Sequence, residues 1–186
     1  GTKKYAFVTL VMRGDKYIPG ALAMGQSFRT HKTKADLICM VTDDVSQDAK
    51  VALTKVFDHV HVVPKISHKS RMATDRQREI YSSWIDDSYT KWNILNMTKY
   101  DAVVFVDADI VIRSNVDEVF GLSRKAWFGM TTSSPWGKPW LPRGAENPLG
   151  RRPHGSIISV ADLERQLKCH CGGFGGGFVL VRPSED

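Results

Sequence analysis

The sequence predicts an α/β layered fold, and three observations carry the prediction. Short β-prone apolar runs recur at Tyr5–Val11, 37–42 (LICMVT), 60–63 (VHVV) and Ala102–Val106. Between them lie segments whose apolar residues repeat at helical spacing, the rhythm of parallel strands joined by helices. The last run sits in the stretch 100–112 (YDAVVFVDADIVI) and ends by releasing two carboxylates, Asp107 and Asp109. In such sheets ligands sit beyond the carboxyl ends of the strands, so one pattern predicts both the architecture and the place of its site.

Taken in order, Tyr5–Val11 is a continuous strand. Behind the breakers Gly14 and Pro19, the residues Ile18, Ala21, Leu22, Gly25 and Phe28 trace a helix. The second strand, 37–42, leads to Ser46, which can cap a helix with Ala49, Leu53 and Val56 on its apolar face; Asp43 and Asp44 stand where helix-terminal acids are expected. The third strand closes at Pro64. Residues 65–79 are polar and show no periodicity, which predicts a mobile loop at the mouth of the site. Arg71, Arg76 and Arg78 in it read either as a basic lid over phosphates or as solubilising charge. Trp84, Ile85, Ser88, Trp92 and Leu95 predict one face of a helix that runs into the acidic strand, with Asp86 and Asp87 on its solvated side.

The chain has 186 residues, 42% hydrophobic and 25% charged, a globular composition with length for one sizeable core and one expected domain. The balance of 26 basic against 20 acidic residues gives a net charge of +6, which suits an anionic ligand such as a nucleotide phosphate. No basic stripe with interleaved aromatics appears, so nucleic acid is not an expected partner. No apolar run reaches membrane-spanning length, and the start lacks the features of a signal peptide. Three cysteines make no disulfide framework and point to a reducing compartment. Cys169-His170-Cys171 lacks the second ligand pair that a structural zinc site requires.

Asp107 and Asp109 are the candidate centre. Carboxylates at the end of a buried strand need compensation, and with only Ala108 between them both can turn toward one divalent cation whose remaining oxygen ligands come from phosphate. The plainer alternative is an acidic pair that solvates a loop.

The ordered series AFVTL (6–10), YIPGAL (17–22), VTDDVS (41–46), VFDHV (56–60), YTKWNIL (89–95) and FVDADIVIRSNVDEVF (105–120) resembles the glycogenin and galactinol-synthase type of family-eight glycosyltransferase, and is especially similar to its viral branch. The resemblance covers most of the chain to about residue 130 and resumes at the end. It implies a GT-A fold, Rossmann-like with a central mixed, mostly parallel sheet. It also implies a UDP-sugar donor, Mn2+ with Mg2+ as the alternative, a glycan or protein hydroxyl acceptor, and transfer with retention of anomeric configuration. A cytoplasmic location and a homodimer are further expectations. Carried over by position, Asp107 and Asp109 correspond to the metal ligands, with Asp107 also near the ribose and the Ala108 backbone near the nucleotide. Leu10, Met12 and Tyr17 fall in the segment around uracil, where an aromatic ring can stack on a base. Lys91 matches the lysine expected beside the donor phosphates and sugar.

The pattern departs in two places. Where relatives carry a turn with an asparagine and a serine, this chain has Phe174, Gly175, Gly176 and Gly177. Gly176 and Gly177 would then offer only backbone groups to the donor sugar, and a tight turn with close backbone approach is expected. Relatives also continue to a histidine that supplies a third metal ligand, whereas this sequence ends at Asp186, so a missing C-terminal segment is expected. His154 is a weak substitute, and WGKPW at 136–140 echoes that ending only superficially. Two other functions compete: an aspartyl-phosphate phosphatase with Asp107 as nucleophile and Asp109 as acid/base, and a UDP-sugar-binding domain with little turnover.

Overall fold

The computed structural model describes residues 3–70, 75–132, 159–168 and 174–185. These comprise six strands, β1 Tyr5–Val11, β2 Asp36–Val41, β3 His59–Val62, β4 Ala102–Val106, β5 Phe128–Thr132 and β6 Phe174–Val181. Four helices accompany them, α1 Ile18–Thr30, α2 Gln47–Leu53, α3 Asp75–Tyr81 and α4 Val160–Lys168, together with 3-10 segments at Ile85–Asn96 and Asp117–Arg124. The strands hydrogen-bond in the order β3-β2-β1-β4-β6-β5, the mixed, mostly parallel sheet that the sequence predicts.

The chain divides into two compact units, one formed by residues 1–129 and 180–186 and the other by residues 130–179. In the first, β1 pairs in parallel with β2 on one side and β4 on the other, and β2 pairs in parallel with β3. All five residues of β4 are buried, as an apolar run central to a parallel sheet must be. In the second unit, Ser159 and Asp162 cap the start of α4 reciprocally: the Asp162 N–H donates to the Ser159 hydroxyl at 3.2 Å and the Ser159 N–H donates to the Asp162 carboxylate at 3.2 Å.

Register and alternation assign the faces of the first unit. Phe7 packs its ring against Phe28 of α1 at 4.3 Å and against Phe120 at 4.8 Å, so α1 and the segment Asp117–Arg124 cover the Phe7 side. Phe105 pairs with Val8, the neighbour of Phe7, and therefore points the other way. On that second side Lys91, from Ile85–Asn96, lies 5.3 Å from the centre of the Phe105 ring.

Two expectations are corrected. Val56 does not extend the face of α2, because that helix ends at Leu53. The helix expected from Trp84 to Leu95 is a 3-10 run over Ile85–Asn96 whose buried residues are Thr90, Asn93 and Ile94, while Trp84 and Leu95 are exposed. Three residues per turn shift the phase of a pattern read at 3.6, so polar Thr90 and Asn93 face inward. They serve as anchors: the Thr90 hydroxyl accepts from Ile66 N–H at 3.0 Å, and the Asn93 amide donates to the Pro64 carbonyl at 3.0 Å.

Those anchors also correct the mobile loop expected at 65–79. The described part from 65 to 70 is tied along the 3-10 run, with His68 N–H donating to the Asp86 carbonyl and Ser70 N–H to the Asp86 carboxylate, both at 2.8 Å. Asp75–Tyr81 is helical. Asp86 is therefore a backbone anchor and not a solvated bystander. The absence of periodicity in 65–70 reflects a strap whose hydrogen bonds go to backbone and side chains of another element.

Candidate active site

β1, β2 and β4 run parallel, so their carboxyl ends open at one rim of the sheet. Beyond β4 the chain turns at once: the Ile110 N–H donates to the Asp107 carbonyl at 3.1 Å. Ala108 is buried, Asp107 is half-buried and Asp109 is exposed. The turn rests on the first turn of α1, where a Cβ at Gly20 would stand 2.6 Å from the Ala108 carbonyl oxygen. Only a bare backbone at position 20 lets the helix approach that closely. The chain then runs alongside α1, with Ile112 N–H donating to the Ser27 hydroxyl at 3.0 Å and the Asn115 amide to the His31 carbonyl at 3.0 Å. The acidic tripeptide is thus fixed from below by a helix and from behind by a buried strand.

Electrostatics distinguish this turn. Burial raises the Asp107 carboxyl above its ordinary range, and the neighbouring Asp109 raises it further; only the Lys91 ammonium opposes them. The Lys91 ammonium lies over the Phe105 ring, 5.3 Å from its centre, and acts on the Asp107 carboxylate through its charge.

The loops around the turn are bound by acids of the opposite character. Asp44 accepts the Thr42 hydroxyl and the backbone N–H groups of Arg13 and Gly14, and these hold its carboxyl below the ordinary range. They also hold a backbone that few residues adopt, since Arg13 and Gly14 both have positive φ, 64° and 79°. Asp15 returns the link by accepting the Ser46 N–H at 2.9 Å. Arg13 donates to the Ser83 carbonyl and to Asp87 at 3.3 Å, and Lys65 reaches the same carboxylate at 3.5 Å. Burial pushes Asp87 up, but the Ser67 hydroxyl, Arg13 and Lys65 outweigh it and leave the group below its ordinary value.

Several expected residues meet here and others do not. Asp107, Ala108, Asp109 and Lys91 come together as described. Leu10 and Met12, both half-buried, continue β1 to the same rim. Tyr17 is 52% exposed, so its ring is available to a ligand and is not packed into the helix start. Gly176 and Gly177 lie inside β6, in the second unit, as strand and not as the expected turn. The close backbone approach falls instead at Gly175, where a Cβ would meet the Thr131 hydroxyl at 2.9 Å. Asp44 and Asp87 are not a helix cap and a solvated acid; Ser46 caps α2 by accepting the Ala49 N–H, and both acids brace the rim. Arg78 donates to the Ser70 carbonyl, which fastens it to the strap, while Arg76 is exposed. Arg71, His154, the residues 136–140 and Cys169-His170-Cys171 lie outside the described residues.

The donor set fits a divalent cation of the Mg2+ or Mn2+ kind. It offers two carboxylates of hard oxygen, one of them under-compensated by the protein. No group of three or more His, Cys, Asp or Glu gathers among the described residues, so a cation held here would draw further ligands from phosphate oxygens and water, as Mg2+ commonly does.

The family model Glycosyl transferase family 8 matches residues 9–144. An uncharacterized protein of Acanthamoeba polyphaga mimivirus is 27% identical over 139 residues, which are 75% of this chain and 48% of that protein. Glycogenin-2 of Homo sapiens is 38% identical over 117 residues, 62% of this chain and 22% of that protein. The chain thus spans half or less of the length of these relatives. Among solved structures, the WbbM bifunctional glycosyltransferase superposes with a TM-score of 0.57 at 15% identity over 97% of this chain and 31% of its own. The galactosyltransferase LgtC, in complex with donor and acceptor sugar analogues, gives 0.56 at 11% identity over 95% of this chain and 57% of its own. At such identities the superpositions establish the fold, which is GT-A.

Proposed function

Because the chain belongs to glycosyl transferase family 8, as the match over residues 9–144 shows, we propose that it transfers a hexose from a UDP-sugar to a hydroxyl acceptor with retention at the anomeric carbon. The observation that carries this reading is the Asp107 carboxylate, raised by burial and by Asp109 and opposed only by Lys91. A protein that gains nothing from a ligand there would not keep a half-buried acid so poorly compensated beside a second carboxylate.

In this reading Asp107 and Asp109 hold a Mn2+ or Mg2+ ion. Bound there, the ion supplies Lewis-acid stabilisation of a departing diphosphate. The residues of the chain do the remainder. Leu10, Met12 and Tyr17 receive the uracil, with the Tyr17 ring stacking on its face. The Ala108 backbone, fixed on Gly20, sets the depth at which the nucleotide sits. Lys91 places a fixed positive charge where the leaving phosphate oxygen gains negative charge, and a preorganised charge needs no rearrangement during the reaction. The bond from the anomeric carbon to the phosphate oxygen breaks with its electrons leaving on UDP. The acceptor oxygen bonds to the same face of that carbon, and its proton passes to the departing phosphate, so no separate base is required. A cytoplasmic location belongs to the same proposal.

Incubation of the chain with a panel of UDP-sugars, Mn2+ and oligosaccharide acceptors tests it. UDP release with sugar transfer, lost in Asp109→Ala, is the expected result. UDP binding without transfer to any acceptor would favour a binding domain, and phosphate release from a phosphomonoester without UDP turnover would reject the assignment.

A further inference from the structure

At the opposite end of β4 from the acidic turn, a cavity of about 280 Å3 is lined by Lys3, Asp101, Ser123, Arg124 and Arg182. Three of these five carry positive charge and one negative. The Asp101 carboxylate is already engaged, since it accepts the Lys4 N–H at 2.7 Å, and the Ser123 hydroxyl donates to the Phe120 carbonyl at 2.7 Å. No carboxylate among the described residues pairs with the side chains of Lys3, Arg124 or Arg182, although carboxylates elsewhere pair with Lys4, Arg13, Arg29, Lys65 and Arg165. Lys3, Arg124 and Arg182 thus line one hollow with no carboxylate partner among the described residues, and guanidinium favours carboxylate, sulfate and phosphate through paired donors.

The surroundings narrow the ligand. The Arg182 N–H donates to the Trp127 carbonyl at 2.8 Å, so Trp127 stands next to Arg182 across the backbone, and it is 69% exposed. An exposed indole one backbone pairing away from a cationic hollow suits a pyranose ring, whose C–H face can pack on an aromatic surface while its acidic substituent reaches the guanidinium groups. β4 separates this hollow from Asp107 by six residues, about 20 Å of strand, too far for one sugar to touch both.

We propose that Lys3, Arg124, Arg182 and Trp127 form a second carbohydrate site that binds an acidic glycan through its carboxylate or sulfate groups, remote from the acidic turn. This rests on the reading of the chain as a glycosyltransferase only for the choice of a glycan; the anion site stands on its own geometry. Its effect is to retain long acidic acceptors by a contact that does not enter the reaction.

The test is fluorescence anisotropy of a labelled hexagalacturonate with the 186-residue chain at moderate salt, with metal-dependent UDP binding measured in parallel. Arg124→Gln combined with Arg182→Gln is expected to weaken oligogalacturonate binding at least tenfold, and Trp127→Ala severalfold. Lys55→Gln, at an exposed cation just after α2, is expected to change it less than twofold. All three should keep the parental melting temperature and UDP affinity. Unchanged binding in the double-arginine variant would overturn the site. Equal affinity for an inorganic polyphosphate of matched charge, with no loss in Trp127→Ala, would overturn the glycan assignment. UDP binding that fails in the parent chain while the oligogalacturonate still binds would reject the proposed function and leave this site standing.

Discussion

Asp87 and Asp107 lie on the same side of the first unit, both shielded, and the protein treats them in opposite ways. Asp87, with 13% of its side chain exposed, is met by Arg13, Lys65 and the Ser67 hydroxyl and titrates below its ordinary range. Asp107 has the half-buried environment without the partners and titrates above it. An acid that the fold has compensated is part of the scaffold; one left wanting positive charge at a strand end is where a cation belongs. The contrast separates bracing from chemistry without reference to any relative.

The largest expected effect comes from the acidic turn that holds Asp107. Asp109→Ala should lower metal-dependent UDP affinity by about a hundredfold or more, the order expected when a ligand of a divalent ion is removed, as read by calorimetry. Asp107→Asn should do the same and yet not lower the melting temperature of the metal-free chain. The sign follows from linkage: a folded-state value above the unfolded one means that stability falls as pH rises from 3.8 through the raised value. Neutral pH is where the native acid destabilises the fold most, and where the amide removes that penalty.

Gly20→Ala attacks the support of the acidic turn. Its Cβ would meet the Ala108 carbonyl at 2.6 Å, and since backbone cannot swing aside as a side chain can, about 2–3 kcal/mol of stability should be lost together with UDP affinity. Unchanged melting and binding would show that α1 does not set the height of the turn.

Asp87→Asn addresses the compensated acid. Loss of its pairs with Arg13 and Lys65, both well exposed, should cost about 1–2 kcal/mol, a few degrees of melting temperature, with UDP binding reduced less than tenfold. Its pH dependence runs opposite to that of Asp107: the contribution is full above 3.8 and disappears as pH falls through the lowered value. The smallest effect is expected for Ser46→Ala, about 1 kcal/mol from the lost cap of α2 and no change in UDP binding.

The strands and the acidic turn were legible because a buried parallel strand has few substitutes for β-branched and aromatic bulk, and the observed β1 and β4 coincide with their apolar runs. Helix α1 was legible for a similar reason, Gly14 and Pro19 marking its start. The rim was not. Asp44 reaches back to Arg13 and Gly14 across 30 residues of chain, and Asp87 gathers Arg13 from 74 residues away; no local period encodes such contacts. The 3-10 run misled a reading at helical phase, and its inward Thr90 and Asn93 make sense only beside the strap at 65–70. A signal did exist in Arg13-Gly14, where a bulky residue beside glycine in a short loop marks strained backbone that needs acceptors nearby.

Mn2+ binding in the presence of UDP, followed by electron paramagnetic resonance, tests the central claim most directly. The parent chain should take up Mn2+ saturably only when UDP is present, and a variant carrying Asp107→Asn with Asp109→Asn, folded by circular dichroism, should leave the ion in solution. Equal Mn2+ uptake by that variant would contradict the account.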